Sequence, residues 1–501
     1  MELVATLLPY QIEAVEWCEK QEDKCAILAY DMGLGKTVIT CGLLVKKPLK
    51  TLIMVPTSLI HQWKAEISKH TNGIDAVIYH GSNRKYKSVK DAIKESQVII
   101  STTAIIANDI KNGVYLDRFR DIQRWVIDEA HKLRNSKNKI YKQLYSIAPL
   151  LKNKVFLTGT PICNSSNDLV SLISLSNIEC ENWKNSENII KYSMLEKLIP
   201  DILKRKKNTE VLSDILPNIS ENIHYLRIAN EQQRNVYNYF TYEEEILRKI
   251  IRMRQSLNSH TQLLDDLDEL DEFKDEDNKD EDDKHQDDNN EISIFPVKMN
   301  KIQEIYDNVN KNDKIIIFSI FTKLLEQIYN FIKIPKKCEK NKYIKIYHGG
   351  LNISQRNEII NEFKNNHDTR ILLINLRAGG VGLNLVEANH IILVEPYWNE
   401  AEQQQAISRV YRIGQKKSVN IHKLIVQNSI ESWMESLQKF KSNISKYLID
   451  KDDKNENAED IITKRQLVRE LFQQIKNIPI PQLNDEEENE KITEIVNQYT
   501  I

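Results

Sequence analysis

Short runs of β-branched and apolar residues recur along the chain, each followed by a stretch with helical spacing. In the first half they fall at Thr51 to Val55, Val98 to Ser101, Trp125 to Ile127 and Val155 to Thr158. In the second half they fall at Lys314 to Ser319, Ile344 to Tyr347, Ile371 to Ile374 and His390 to Val394. Unbroken apolar runs suit strands buried on both faces. Their alternation with helices is the rhythm of parallel sheets with crossover helices. The pattern predicts an α/β fold with two sheet-bearing lobes, although the two halves share no visible repeat.

Between the lobes, Asn182 to His260 reads as mostly helical and basic in places, at Lys204, Arg205, Lys206 and Lys207, then Arg248, Lys249, Arg252 and Arg254. Asp265 to Glu291 holds 16 acidic residues against 3 lysines, a composition too polar to offset its ordering entropy, and is expected to be disordered. Past Asp450 the chain is polar, with a helix expected over Thr463 to Lys476 and a loosely held tail around it. The expected division is a first lobe over 1–180, a helical basic region over 181–263, an acidic linker over 264–292, a second lobe over 293–450 and a tail over 451–501.

The 501 residues are 41% hydrophobic and 28% charged, an ordinary globular balance with room for two or three domains. No apolar run approaches the ~18 residues of a membrane span. The opening residues lack the order of a signal peptide. Cys18, Cys25, Cys41, Cys163, Cys180 and Cys338 form no C-x-x-C pair, so reduced intracellular thiols are expected and no zinc site. Net charge is −2, but the acidic stretch alone carries −13, which leaves +11 on the rest. A basic body is compatible with a polyanionic partner.

The candidate chemistry starts at "CAILAYDMGLGKT", a strand-like run entering a glycine-rich turn. A strand, tight loop and helix N-terminus present backbone N–H groups to phosphates. Gly33 and Gly35 let the backbone come close. Lys36 supplies charge to the β and γ phosphates, and the Thr37 hydroxyl suits Mg²⁺. The full phosphate-loop pattern wants glycine six positions before the lysine, where Tyr30 stands, so a plain glycine turn remains the alternative at this point. "RWVIDEAHKLRN" then places Asp128 and Glu129 at the carboxyl end of an apolar strand, where a parallel sheet puts its site. Asp128 can hold Mg²⁺ through water, and Glu129 can orient and deprotonate an attacking water. Arg409 and Arg412, three apart on a predicted helix, share a face, and their guanidinium groups suit the charge on a transferring phosphoryl group.

In order along the chain, these stretches resemble superfamily II helicases and, more narrowly, the Swi/Snf-type ATPases. The resemblance runs from about Leu7 to about Lys441, interrupted by the acidic stretch, and implies two RecA-like lobes. "LLPYQIEAVEWC" is similar to the opening motif, which implies that Gln11 reads the adenine edge. The phosphate loop would run through Asp31, Met32, Gly33, Leu34, Gly35, Lys36 and Thr37, with Tyr30-Asp31 where the family has two acidic residues. "LIMVPTSLIHQWKAEI", with Pro56 and Ser58, and "STTA", with Thr102, resemble motifs along the nucleic-acid backbone. "LTGTPICNSSNDLVSLISL", with Thr158, Gly159, Thr160, Pro161 and Asn164, resembles the coupling motif. "ILKRKKNTEVLSDILPNI" is similar to a basic brace, with Lys204 in place of an arginine.

"RAGGVGLNL", with Gly379, Gly380 and Gly382, and "QAISRVYRIGQ" resemble second-lobe motifs. The latter implies that Gln405 contacts nucleotide and that Arg409 and Arg412 act as arginine fingers. Such fingers contribute roughly 10³ or more in rate.

ATP and Mg²⁺ are the expected cofactors, and double-stranded DNA is the expected partner, with RNA second. Protein partners could engage the acidic linker or tail, and no membrane is expected. The family implies a DNA translocase, against two alternatives: a strand-separating DNA or RNA helicase, and an inactive nucleic-acid-binding scaffold. The location implied is intracellular: the nucleus, or a cytoplasmic factory if the source is viral. The acidic stretch itself reads either as a solvated linker or as a DNA-mimicking autoinhibitor.

Overall fold

The computed structural model describes residues 1–439 with the exception of 22, 82–88, 113–118, 163–165, 177, 179–182, 184–187, 213–215, 229–230, 240–245, 259–296, 337, 380–382, 398–399 and 437. Strands β1 (Glu2–Leu3) and β4 (Thr71–Asn72) form a small antiparallel ribbon. Strands β2 (Ala26–Tyr30), β3 (Thr51–Met54), β5 (Ala76–Ile78), β6 (Val98–Ser101), β7 (Arg124–Asp128), β8 (Asn153–Leu157) and β9 (Leu203–Lys206) make a parallel sheet, ordered β5-β6-β3-β7-β8-β2-β9. Strands β10 (Ile219–Leu226), β11 (Ile315–Ser319), β12 (Ile344–Tyr347), β13 (Ile371–Asn375), β14 (His390–Leu393) and β15 (Val419–Val426) make a second, ordered β10-β15-β14-β11-β13-β12. Each sheet carries helices and a hydrophobic cluster on both faces. The architecture is two RecA-like lobes.

Burial explains which runs became central strands. β2, β3, β6, β8, β11 and β13 are buried along their whole length, as strands covered on both faces require. One edge of each sheet is polar instead. β9 reads LKRK and β10 reads ISENIHYL, and both sit at an edge, where charged side chains can stay wet.

Both edge strands come from 181–263, which is mostly helical among its described residues, as expected. Its helices are Asn188–Ile202, Asn208–Val211, Glu231–Tyr239 and Ile246–Asn258, while β9 joins the first sheet and β10 the second. Among the described residues the chain therefore passes between sheets over 207–218.

The acidic stretch 264–292, the tail 451–501 and the helix expected over Thr463 to Lys476 lie outside the described residues. The flanks of the acidic stretch, however, meet in the second lobe. Lys298 Nζ donates to Asn258 Oδ1 at 2.8 Å, and Asn258 Nδ2 donates to Glu395 Oε1 at 3.0 Å. Lys298 also pairs with the fully buried Glu431. The chain thus leaves and re-enters one lobe around this stretch, and the lobe-to-lobe passage lies upstream of it.

Three adjacent strands at the β10 edge carry a histidine ladder. His224 Nε2 and His422 Nδ1 lie 3.0 Å apart, and the His422 ring stacks on His224 and His390 with centroids at 5.3 and 5.9 Å. Burial holds all three below their ordinary value of 6.5, His422 at about 4. Lys301 and Glu304 flank His224, while Asp313, Arg370 and Lys417 flank His390. The fold needs the neutral rings. Unfolded histidine takes up its proton at a higher pH than the folded ladder. Their contribution is thus complete above about 6.5 and is lost as pH falls toward 4. His422→Phe should flatten the decline of the second lobe's thermal midpoint between pH 6.5 and 4. An unchanged pH slope in a melting series would contradict this account.

Candidate active site

The phosphate loop follows β2 and leads into helix α2 (Lys36–Lys46), the second helix after α1 (Pro9–Gln21). Gly33 and Gly35 have φ of 89° and 76°, in the left-handed region that glycine enters without a Cβ penalty. At Gly35 a Cβ would stand 2.6 Å from Gln11 Nε2. Gln11, on α1, is buried against the loop: its Oε1 accepts from Leu8 N and its Nε2 donates to Leu34 O. Lys36 Nζ donates to the carbonyls of Tyr30 at 2.7 Å and Asp31 at 3.2 Å. Burial lowers the pKa of Lys36, against the raising charges of Glu129, Asp128 and Asp31. Thr37 is half-buried in the first turn of α2.

The acidic pair ends β7, two strands from β2. Burial and the Glu129 charge raise Asp128 to about 6. Two donors hold its carboxylate: Trp63 Nε1 reaches Oδ2 and Glu129 N reaches Oδ1, each at 2.9 Å. Glu129 takes a left-handed conformation, φ 52° and ψ 46°. For a residue with a Cβ this costs roughly 1–2 kcal/mol, strain of the kind that collects at functional turns. Its Oε2 is buried, 3.3 Å from His131 Nδ1, and makes no hydrogen bond. Burial drives His131 down to about 3, so its ring is neutral, and Nδ1 also meets Thr158 Oγ1 at 3.2 Å. Thr160 N donates to the same hydroxyl. The carboxylate of Asp128 and the hydroxyl of Thr37 are hard oxygen donors of the kind a divalent cation such as Mg²⁺ takes, and the buried Glu129 Oε2 beside them stays without a hydrogen bond.

Arg409 and Arg412 come from the second lobe and face these groups. Burial lowers Arg409 to about 10, opposed first by the charge of Glu129. A Cβ on Gly33 would lie 3.4 Å from Arg412 Cβ. Ser408 Oγ reaches Met32 Sδ at 3.4 Å. Tyr411, between the arginines, packs on hydrophobic clusters of both lobes. The expected helix, however, stops at Ile407, and the arginines sit in the turns that follow. Gln415 fixes those turns by donating Nε2 to the carbonyls of Val386, Ala388 and Val410, and Gly414, at φ 106°, reverses the chain.

A profile described as the SNF2-related domain matches residues 10–279, and one described as the helicase conserved C-terminal domain matches 297–414. The chain belongs to the SNF2-related family of helicase-like ATPases. An uncharacterised ATP-dependent helicase of Mycoplasma genitalium is 29% identical over 88% of this chain and 42% of its own length. The ATP-dependent DNA helicase DDM1 of Arabidopsis thaliana is 29% identical over 85% and 60%. A probable global transactivator of Orgyia pseudotsugata multicapsid polyhedrosis virus is 27% identical over 86% and 89%. This chain therefore spans about half the length of several curated relatives. The Sulfolobus solfataricus SWI2/SNF2 ATPase core in complex with dsDNA is 26% identical, with a TM-score of 0.39, and covers 89% of this chain and 93% of that one.

Pro56 and the exposed Ser58 belong to the turn after β3. Thr102 departs from the surface contact expected of it: it is buried, and its hydroxyl accepts from Ile105 N as a helix cap. Gln405, half-buried, closes the last turn of the helix Glu400–Ile407, and its carbonyl accepts from Ser408 Oγ. Gly159 abuts Met32. Gly379 ends a short helix, Leu376–Gly379, while Gly380, Gly382 and Asn164 lie outside the described residues.

Sequence reasoning gave no individual role to Arg205 or Asn208. Arg205 on β9 donates to the carbonyls of Ala29 and Gly159 at 3.0 and 2.6 Å and pairs with Asp31 at 2.9 Å. Asn208 bonds Asp31 through its backbone N–H and Met32 O through its side chain. The signal was the basic run itself, whose alternation in a strand turns Arg205 away from Lys204 and Lys206. Arg205→Lys keeps the charge and loses the planar fork, at a cost of ~2 kcal/mol. The first lobe's thermal midpoint should fall by about 5 °C, read by calorimetry, with weaker ATP binding. A lysine variant that melts and binds like the wild type would contradict this role.

Proposed function

We propose that this chain is an ATP-driven translocase on double-stranded DNA, with the active centre divided between its lobes. The observation that carries the reading is the seating of Arg409 and Arg412 against the loop and acidic pair of the opposite lobe. In this reading lobe 1 comprises 1–180 together with β9, and lobe 2 comprises 293–450 together with β10. Gly33, Gly35 and the N-terminus of α2 cradle phosphate oxygens, and Lys36 leaves its loop carbonyls for the β and γ phosphates. Gln11 reads the adenine and Gln405 closes on the nucleotide from lobe 2. Asp128 and Thr37 would hold Mg²⁺, which when bound neutralises phosphate charge. Glu129 Oε2 takes the proton of the attacking water, and Arg409 and Arg412 stabilise charge on the transferring group.

The arginines contact nucleotide only in the closed arrangement, so ATP favours closure and its hydrolysis releases it. His131, joined to Glu129 and Thr158, links the base to the turn of Gly159 and Thr160. The surface expected to meet the DNA backbone includes the turn of Pro56 and Ser58 on lobe 1 and Gly379 and Gly380 of lobe 2. A relative named as a DNA helicase and a net-basic body outside the acidic stretch support DNA as the track.

Lys36→Ala should abolish ATP binding and turnover. Glu129→Gln should cut turnover by a factor of roughly 10² or more while ATP binding persists. Phosphate release and equilibrium nucleotide binding check both, and normal turnover in either variant would remove the assignment. Displacement of a triplex-forming strand without separation of a flanking duplex is the expected outcome for a translocase. Duplex separation would favour the strand-separating helicase instead.

A further inference from the structure

Helix α3 (Ile60–His70) touches both halves of the active centre, and its opposite face is open to solvent. It follows directly on the turn of Pro56 and Ser58. His61, Gln62, Lys64 and Lys69 are exposed, whereas Ile60, Trp63 and Ile67 are buried in the cluster that also holds Leu34 of the phosphate loop. From this inner face the Trp63 indole donates to Asp128 Oδ2 at 2.9 Å. One turn further on, Glu66, held by His70 at 2.9 Å, lies on the side of Arg412 and is the charge that acts on it. Tyr411, beside Arg412, packs against the same cluster.

We propose that Trp63 is a positioning residue through which engagement of DNA at the outer face of α3 is conveyed to the metal-holding carboxylate. The proposal rests on the translocase reading above. Its physical basis is leverage within a rigid helix. The Pro56–Ser58 turn and α3 form one continuous helical segment, so a phosphate gripped at the turn shifts the indole on the inner face with it. The other donor to Asp128 is the backbone N–H of Glu129, on the same strand end, which moves with Asp128 and carries no information from α3. The indole N–H is thus the contact whose length depends on where α3 sits. When it is well aligned, both carboxylate oxygens are fixed for the cation.

The test uses the full chain and needs no turnover. A fluorescent ATP analogue is bound at equilibrium while Mg²⁺ is titrated, with and without a DNA duplex. Wild type should need less Mg²⁺ for half-maximal binding when duplex is present. Trp63→Phe keeps an aromatic ring but loses the donor. Its half-point should rise roughly tenfold, as expected for one lost hydrogen bond to a charged group, and should no longer respond to duplex. Binding without Mg²⁺ and affinity for duplex should match wild type. Should the phenylalanine variant fail to fold, benzothienylalanine at position 63 replaces the indole N–H by sulfur in a ring of nearly the same shape and should give the same result.

A half-point equal to wild type, or one that is raised yet still lowered by duplex, would overturn the proposal. A wild type that binds no duplex defeats the translocase reading together with this one, whereas a wild type that binds duplex but whose Mg²⁺ titration ignores it defeats this one alone. A duplex-responsive wild type whose variants respond alike defeats this one alone.

Discussion

Charge buried at the junction of the lobes is the constraint to which the rest of the structure answers. Lys36, Asp128, Glu129 and Arg409 lie together out of water, and each would be costly there alone. Burial pulls Lys36, Asp128 and Arg409 toward their neutral forms, and the opposite charges around them pull back. The shifts record that balance: Asp128 rises while Lys36 and Arg409 fall. No single lobe supplies both signs in full. The parallel sheets bring the groups to the carboxyl ends of β2 and β7, and the turns after Ile407 deliver the guanidinium from the other side. Closure of the lobes and electrostatic completeness of the centre are thus one event.

Around that core the supporting contacts are made by residues with little chemistry of their own. Arg205 ties an edge strand to the phosphate loop and to the turn after β8, so three motifs share one guanidinium. His131 bonds Thr158 and stands 3.3 Å from Glu129 Oε2. Because the Arg205 ties are short, motion at one motif is passed to the next as displacement.

The central strands were legible because burial on both faces demands apolar runs, and Val98–Ser101 came out residue for residue, as did the edge strand Ile344–Tyr347, whose apolar residues alternate. Lys36 and Asp128 were legible because a charge abutting an apolar run implies a site, whereas Arg409, on a spacing that alone suits a solvated helix face, was legible only through the resemblance of "QAISRVYRIGQ". The polar edge strands β9 and β10 were not: LKRK carries no apolar alternation, and β9 exists because β2 offers it a partner. Arg409 and Arg412 were assigned to a helix because Ile407 and Val410 keep helical spacing, whereas Gln415 and Gly414 decide the backbone there through bonds distant in sequence. Trp63 is a core residue of an amphipathic helix, and the sequence singled it out for nothing more. Its indole N–H matters only once β7 stands opposite, a fact that spacing along one helix cannot carry.

The passage over 207–218 sets a leash on the two halves. Its ends are stitched into β9 and β10, so neither can pay out extra chain without breaking a sheet edge. Fully extended, such a length reaches about 40 Å, and the turn of helix at Asn208–Val211 shortens it. Lobes so tethered meet each other at an effective concentration in the millimolar range whatever the dilution of the protein. Re-closure after each opening is therefore a local, first-order event, set by the tether rather than by abundance.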